Sequence, residues 1–373
     1  MTESPTTDLP PQVKQWVLKR LRCWYNRIVT ASAALWLAGV ISLLGAMRFL
    51  GEANVTAAFL LYLPPLLWFI PVIPMIPALC FVSFSRALVF TCACGLIVWL
   101  GFGYEMRANV DPSVARSSNS LVILTNNRGQ NAGQSLQPFK NYVRPDIMVF
   151  QESSGRAAGY LADKAYAEFK YGQSVGEFTL LSRFPILTAT KVSCQSNATK
   201  TLVGYAARFE IDWNGLKTAI YSVHLPSPRG PLMAMRSGAF LYGLPTPKGS
   251  RWQINGEKMQ AFWQQHIELA RDLITKTQAE QIPVILAGDF NAPHLGYIHD
   301  IVASVYTDTH EAAGSGFGFS FPGVSRNPLS LGGPWIRIDY IFCGQKWEVE
   351  WNITEPDRTS QHRAVAASLQ LTR

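Results

Sequence analysis

Charge is what this chain has least of. Asp, Glu, Lys and Arg make up 16% of its 373 residues, against 48% hydrophobic, which is lean for a protein surrounded by water. The shortage is uneven. Up to about Val110 the sequence is dominated by uninterrupted apolar runs, and beyond it polar residues return at ordinary density. Cysteine is also scarce. Of six, Cys23, Cys80, Cys92 and Cys94 lie in or beside the apolar half, leaving only Cys194 and Cys343 in the polar half, too few for a disulfide scaffold or a zinc centre. Two separate buried thiols are the expected state, with a Cys194–Cys343 pair the alternative in an oxidising compartment. A dense basic stripe is missing too. The net charge of +8 divides evenly, with 8 Lys/Arg against 4 Asp/Glu in residues 1–110 and 25 against 21 beyond. That excess suits phosphate-bearing partners but is not the pattern of a dedicated nucleic-acid binder. Internal repeats and low-complexity tracts are absent.

The apolar half is expected to be a transmembrane region, 28–104, behind a cytoplasmic segment, 1–27. Residues 28–47 and 87–104 carry no charge, and at about 1.5 Å per residue each approaches the roughly 30 Å hydrocarbon core. Residues 55–82 are equally uncharged but contain Pro64, Pro65, Pro71, Pro74 and Pro77, which remove backbone donors and should kink or interrupt a helix. Lys14, Lys19, Arg20, Arg22 and Arg27 precede the first run and place the N-terminus in the cytoplasm. The first run is longer than a signal-peptide core and two more follow, so it reads as a retained span. Three spans would carry the C-terminal part outside the cytoplasm; a re-entrant second segment would leave it inside. Residues 105–119, with Pro112 and several serines, read as a linker to a domain at 120–373.

In that domain, strands are expected at 121–125, 147–151, 179–181, 206–211, 218–223, 284–287 and 337–342. A helix is expected over 257–276, where Met259, Phe262, Trp263, Ile267, Ala270, Leu273 and Ile274 recur on one face. Polar side chains cluster at the strand ends: Asn126 after LVILT, Glu152 after IMVFQ, His224 closing TAIYSVH, Asp289 and Asn291 after VILAG, Asp339 inside RIDYIF, and His362 closing DRTSQH. Gathered at one end of a sheet, they would supply oxygen ligands for a hard cation and imidazoles for proton or charge transfer.

The ordered set LTN, VFQE, SVHL, GDFN, RIDYIF and SQH resembles the endonuclease/exonuclease/phosphatase superfamily. The stretch GSGFGFSFP is similar to that of a membrane-anchored, VanJ-like bacterial branch. The resemblance covers nearly all of 120–373. It implies a DNase I-like four-layer α/β/β/α sandwich, here preceded by an N-terminal transmembrane helical region, and hydrolysis at phosphorus with Mg²⁺, or Mn²⁺ as the alternative. It assigns Glu152 as principal metal carboxylate and Asn126 as its support. Asp289 would orient or deprotonate the attacking water, with Asn291 holding that water or a phosphate oxygen. Asp339 would fix His362 against the scissile phosphate, and His224 would contact the phosphate or leaving group. His266, His294, His299 and His310 are expected outside the site or at its border. The chain departs from the family at Ser360-Gln361-His362, where Ser-Asp-His is usual. Glutamine accepts a hydrogen bond but carries no charge for a second cation, which favours one metal and leaves a weak or inactive member open.

Residues 226–252, Gly/Pro-rich with Leu232, Met233, Met235, Phe240, Leu241 and Tyr242, are either core filler or an apolar lid beside the site. Three readings follow: a bilayer-tethered phosphoesterase with a lipid-linked phosphate favoured as substrate, a tethered nuclease acting on nucleic acid, or a non-enzymatic phosphate-binding module.

Overall fold

The computed structural model describes residues 10–372 except 109, 113–116, 118, 130–134, 235–250, 325–327, 329–330 and 358–360. The chain divides into two compact units. One comprises residues 1–44 and 66–101, the other 45–65 and 102–373.

The first unit is helical. α1 (Pro11–Phe49) begins in it and ends in the second unit, α2 (Val55–Leu61) lies in the second, and α3 (Leu66–Phe69), α4 (Val72–Val82) and α5 (Phe84–Leu96) complete the first. α5 continues as a wider turn over Ile97–Gly101. Ala33, Leu79, Ala87, Phe90 and Cys94 form its small core, while Leu35, Ile41, Phe81, Phe84 and Val89 stay exposed. Two helices, Pro11–Phe49 and Phe84–Gly101, are long and apolar enough to cross a membrane. The proline-rich run is interrupted, as its composition predicts. α2 ends before Pro64 and Pro65, which cannot continue its ladder, and the α3–α4 stretch starts anew at Leu66.

The second unit contains two six-stranded mixed sheets. Its strands are β1 (Ser120–Asn127), β2 (Ile147–Gln151), β3 (Tyr171–Val175), β4 (Phe178–Ser182), β5 (Ile186–Gln195), β6 (Leu202–Trp213), β7 (Leu216–His224), β8 (Val284–Asp289), β9 (Thr307–Asp308), β10 (Asp339–Cys343), β11 (Trp347–Thr354) and β12 (Val365–Leu371). The orders are β11-β12-β1-β2-β4-β3 and β5-β6-β7-β8-β10-β9. β1–β2 and β7–β8 run parallel. Short helices α6 (Phe139–Val143) and α7 (Ala157–Ala162) flank the first sheet. α8 (Arg229–Ala234), the long α9 (Arg251–Gln278), α10 (Tyr297–Ala303) and α11 (Thr309–Ala313) follow. All seven expected strands and the expected helix are present, and β3, β5, β9, β11 and β12 are additional.

Strand periodicity explains the layers. Leu121 and Ile123 of β1, Ile147 and Val149 of β2, Ile220 of β7, Ile285 and Ala287 of β8, and Ile341 and Cys343 of β10 face one another in a central core between the sheets. The alternate residues face outward: Val122, Leu124, Met148 and Phe150 toward α6 and α7, and Ala219, Tyr221, Leu286 and Phe342 toward α9 and α10. The result is a four-layer α/β/β/α sandwich. The described cysteines are all unpaired thiols, Cys194 half-buried and Cys343 buried.

Candidate active site

Extending the inner-face parity by one step past each apolar pair leads to one place. Asn127 follows Ile123 and Thr125 on β1, His224 follows Ile220 and Ser222 on β7, Asp289 follows Ala287 on β8, and Asp339 precedes Ile341 on β10. The register pairs His224 with Asp289 and Asp289 with Asp339. All four inner faces therefore deliver their terminal side chains to the same end of the sandwich.

Asp289 is the hub. It is 1% exposed. Its Oδ2 accepts from Asn127 Nδ2 at 2.9 Å and Asn291 Nδ2 at 3.3 Å, and its Oδ1 accepts from the Asn291 backbone N–H at 2.8 Å. His224 Nε2 and His362 Nε2 lie 3.7 and 3.8 Å from Oδ2. Burial pushes the Asp289 carboxyl up, opposed by His362 and His224. His362 Nδ1 faces both oxygens of buried Asp339 at 3.0 and 3.2 Å, and Ser320 donates its hydroxyl to the same carboxylate at 2.6 Å. Burial alone would lower the His362 imidazole, but Asp339 and Asp289 overcome it and lift it to about 9, so the ring is held as imidazolium at neutral pH. Half-buried His224 is likewise lifted against its burial, by Glu177 at 3.2 Å on Nδ1 and by Asp289.

Glu152 stands at the rim, exposed, at a left-handed φ of 51°, a conformation unusual for a non-glycine residue. Its Oε1 accepts from the same Asn127 Nδ2 at 3.3 Å. Two carboxylates thus share one neutral amide, and the exposed one offers oxygen donors of the kind a hard cation takes. Glu152 could take Mg²⁺ or Mn²⁺ as an oxygen ligand, while Asn127 supports it by hydrogen bond, its Nδ2 donating to both carboxylates and its Oδ1 accepting from Gly129 N–H at 2.9 Å. Asp289, Asp339 and His362 also present ligand atoms within 4.8 Å of one another, yet Asp339 and His362 Nδ1 already satisfy each other. A second grouping, His299, Asp308 and Glu311, is filled by the Arg337 guanidinium, which binds both Asp308 and Glu311.

The profile of the Endonuclease/Exonuclease/phosphatase family matches residues 126–362. The chain belongs to this family. Members are generally hydrolases of phosphoester bonds and commonly use divalent metals. Similar solved structures include a family protein from Bacteroides thetaiotaomicron (15% identity, covering 69% of this chain and 100% of that one, TM-score 0.46). They also include humanized D. rerio TDP2 (17%, 68% and 100%, 0.45) and truncated Caenorhabditis elegans TDP2 (19%, 67% and 98%, 0.43). Curated proteins gave no match.

Against the family pattern, the structure brings Glu152, His224, Asp289, Asn291, Asp339 and His362 together. Asn126 lies on the outer face. It shares the outward parity of Val122 and Leu124, donates to the His362 carbonyl at 3.4 Å and accepts from Arg128; Asn127 is the residue between the carboxylates. Asn291 is not on an extended segment as expected. It sits at φ 47°, and its side chain donates to Leu225 O at 2.9 Å. Gln361 is exposed, its carbonyl accepting from Gly323 N–H at 2.7 Å. Buried His266, His294, His299 and His310 lie in packing or in other networks, His294 on Phe102 O and His310 near Asn352. Glu177 and Ser320 escaped the sequence reading. Glu177 belongs to the β3–β4 turn, and Ser320 to the GFGFSFP stretch noticed only as a branch marker. Of the candidate lid, 235–250, including Phe240 and Leu241, lies outside the described residues.

Proposed function

We propose that this protein is a membrane-anchored, metal-dependent phosphoesterase hydrolysing a phosphate ester or anhydride, with a lipid-linked phosphate preferred over nucleic acid. The observation that carries the reading is the convergence of Asp289, the Asp339–His362 pair, His224 and Asn127 beside an exposed carboxylate, Glu152. In this reading Glu152, steadied by the Asn127 N–H, would hold a divalent cation, which would supply charge neutralisation at the phosphate oxygens. Asp289, its proton affinity raised by burial, takes the proton of the attacking water while Asn291 orients it. The imidazolium of His362, fixed by Asp339 and Ser320, stabilises the charge that builds on the phosphoryl oxygens, and His224, backed by Glu177, faces the leaving group.

Membrane attachment is supported by the two long apolar helices, and a tether keeps the site within reach of headgroups, favouring a lipid-linked substrate. The basic residues before the first span support a plasma-membrane protein with the catalytic domain outside the cytoplasm. The test uses the full chain in detergent micelles with Mg²⁺, assayed against polyprenyl pyrophosphate, sphingomyelin, phosphoinositides, DNA and RNA. Metal-dependent release from a lipid phosphate, abolished in Asp289→Asn, supports the reading. Cleavage confined to DNA or RNA replaces it with the nuclease, and no difference between the wild type and Asp289→Asn removes it.

A further inference from the structure

The segment between the first membrane helix and α3 is built into the catalytic unit. Asn54 caps α2 by accepting from the backbone of Thr56 and Ala57. α2 then lays Val55 and Ala58 on Met259 and Trp263 of α9 in a closed apolar cluster. Tyr62 follows, just ahead of the two prolines. Its ring stacks on Trp263 at 5.7 Å, its carbonyl accepts from Trp335 Nε1 at 3.1 Å, and its hydroxyl donates to the main-chain oxygen of Asn291 at 2.7 Å. In the last turn of α1, Arg48 pairs with Asp300 at 2.7 Å and reaches the His294 carbonyl at 3.4 Å, while Glu52, just after it, accepts from Ile298 N–H at 3.2 Å. The segment therefore grips the loop after Asp289 at several points.

We propose that Tyr62 is a positioning residue for the catalytic turn, holding Asn291 in its left-handed conformation so that the Asn291 N–H and amide stay on Asp289. A turn of this kind is kept only where its surroundings over-determine it, and Tyr62 supplies that restraint from outside the sandwich. The kinetic part of this inference rests on the phosphoesterase reading; the structural part does not.

Tyr62→Phe keeps the stacking and deletes one hydroxyl. It is made in the full chain, with kcat, KM and hydrogen–deuterium exchange read side by side. The expected result is kcat down about tenfold, within the range that small misplacements cause. KM should stay within twofold, exchange should be faster over 290–292, and exchange in β11 and β12 should be unchanged. Trp335→Phe, which frees the Tyr62 carbonyl but leaves the hydroxyl bond, should show the same pattern more weakly. Unchanged exchange at 290–292, or faster exchange with unchanged kcat, overturns the inference. If wild type and Asp289→Asn are equally inactive, it is the phosphoesterase reading that fails, and the exchange data alone decide whether Tyr62 restrains the turn.

Discussion

Asp339→Asn isolates the charge behind His362. The substitution keeps the shape of the side chain and an oxygen for the Ser320 hydroxyl, but removes the negative charge facing Nδ1 at 3.0 and 3.2 Å. In the wild type the imidazole holds its proton to about pH 9 instead of 6.5. At about 1.4 kcal/mol per pH unit this corresponds to about 3 kcal/mol favouring the cation, an order-of-magnitude figure that Asp339 leads and Asp289 shares. Losing most of it, together with the fixed ring orientation, should lower kcat about 100-fold at pH 7.5. The sign follows from a raised basic group: the stabilisation from the pair is complete below about 6.5 and disappears as pH rises through about 9. The alkaline limb of the wild-type rate profile should therefore fall near 9, and that of the variant should move toward 7. The assay is Mg²⁺-dependent hydrolysis of bis(p-nitrophenyl) phosphate by the full chain from pH 5 to 10, with a thermal melt confirming folding. A rate within threefold of wild type, with the alkaline limb unmoved, would refute the role given to this pair.

Three other perturbations test separate parts of the site. Glu152→Ala should abolish the rise in melting temperature that Mg²⁺ gives the wild type, which linkage puts at about 2.7 kcal/mol when the metal is at 100 times its Kd; an equal rise in both would remove Glu152 from the metal. Burial lifts Glu52 to about 7, opposed by the Ile298 and Tyr297 backbone and by His299, with the Arg48–Asp300 pair nearby. Its contribution to folding should thus be complete below about 4.5 and lost as pH rises through about 7, so Glu52→Gln should melt several degrees above wild type at pH 8.5 but alongside it at pH 5. Gly288→Ala puts a Cβ 2.0 Å from the Val223 carbonyl, at a φ of 151°, and should cost more than about 3 kcal/mol in a denaturant melt; a near-neutral result would contradict the tight β7–β8 contact.

The parts legible in the sequence are those that depend on one strand at a time. Inner strands such as IMVFQ and VILAG are apolar throughout because both faces are covered, and they stand out as runs. β5, with its exposed ILTATKVSCQ, and the edge strand β11, WEVEWNIT, are half-polar and lack that contrast. Two adjacent asparagines at the end of β1 show how little in the sequence separates one face of a strand from the other. A shift of one residue reverses the face, and the parity of Leu121 and Ile123, carried forward along β1, falls on Asn127 and not on Asn126. Glu177 and Tyr62 were beyond such reasoning. Each reaches the site from an element distant in sequence, and neither a hairpin turn nor a proline-rich run between apolar helices advertises a polar role.

The sidedness proposed for the catalytic domain does not need a count of spans. From composition alone, a re-entrant second segment would leave the domain in the cytoplasm. On the membrane-anchored reading that dependence falls away, because residues 45–65 and 102–373 form one compact unit, and a compact unit would occupy one side of a bilayer. The intervening 66–101 would then cross either twice or not at all. Its two helical stretches, 66–82 and 84–101, would span about 25–27 Å each, close to the roughly 30 Å core, so two crossings are geometrically reasonable. On that reading the side of the domain would in both cases follow from α1 alone, with its basic N-terminal end expected inside. Ser154 is exposed in the domain, and Cys23 is exposed near the start of α1. In a Cys194→Ser background, a membrane-impermeant thiol reagent applied to intact cells should label Ser154→Cys and spare Cys23. Labelling of Cys23 alone would reverse the orientation, and with it the case for an extracytoplasmic lipid phosphate as substrate.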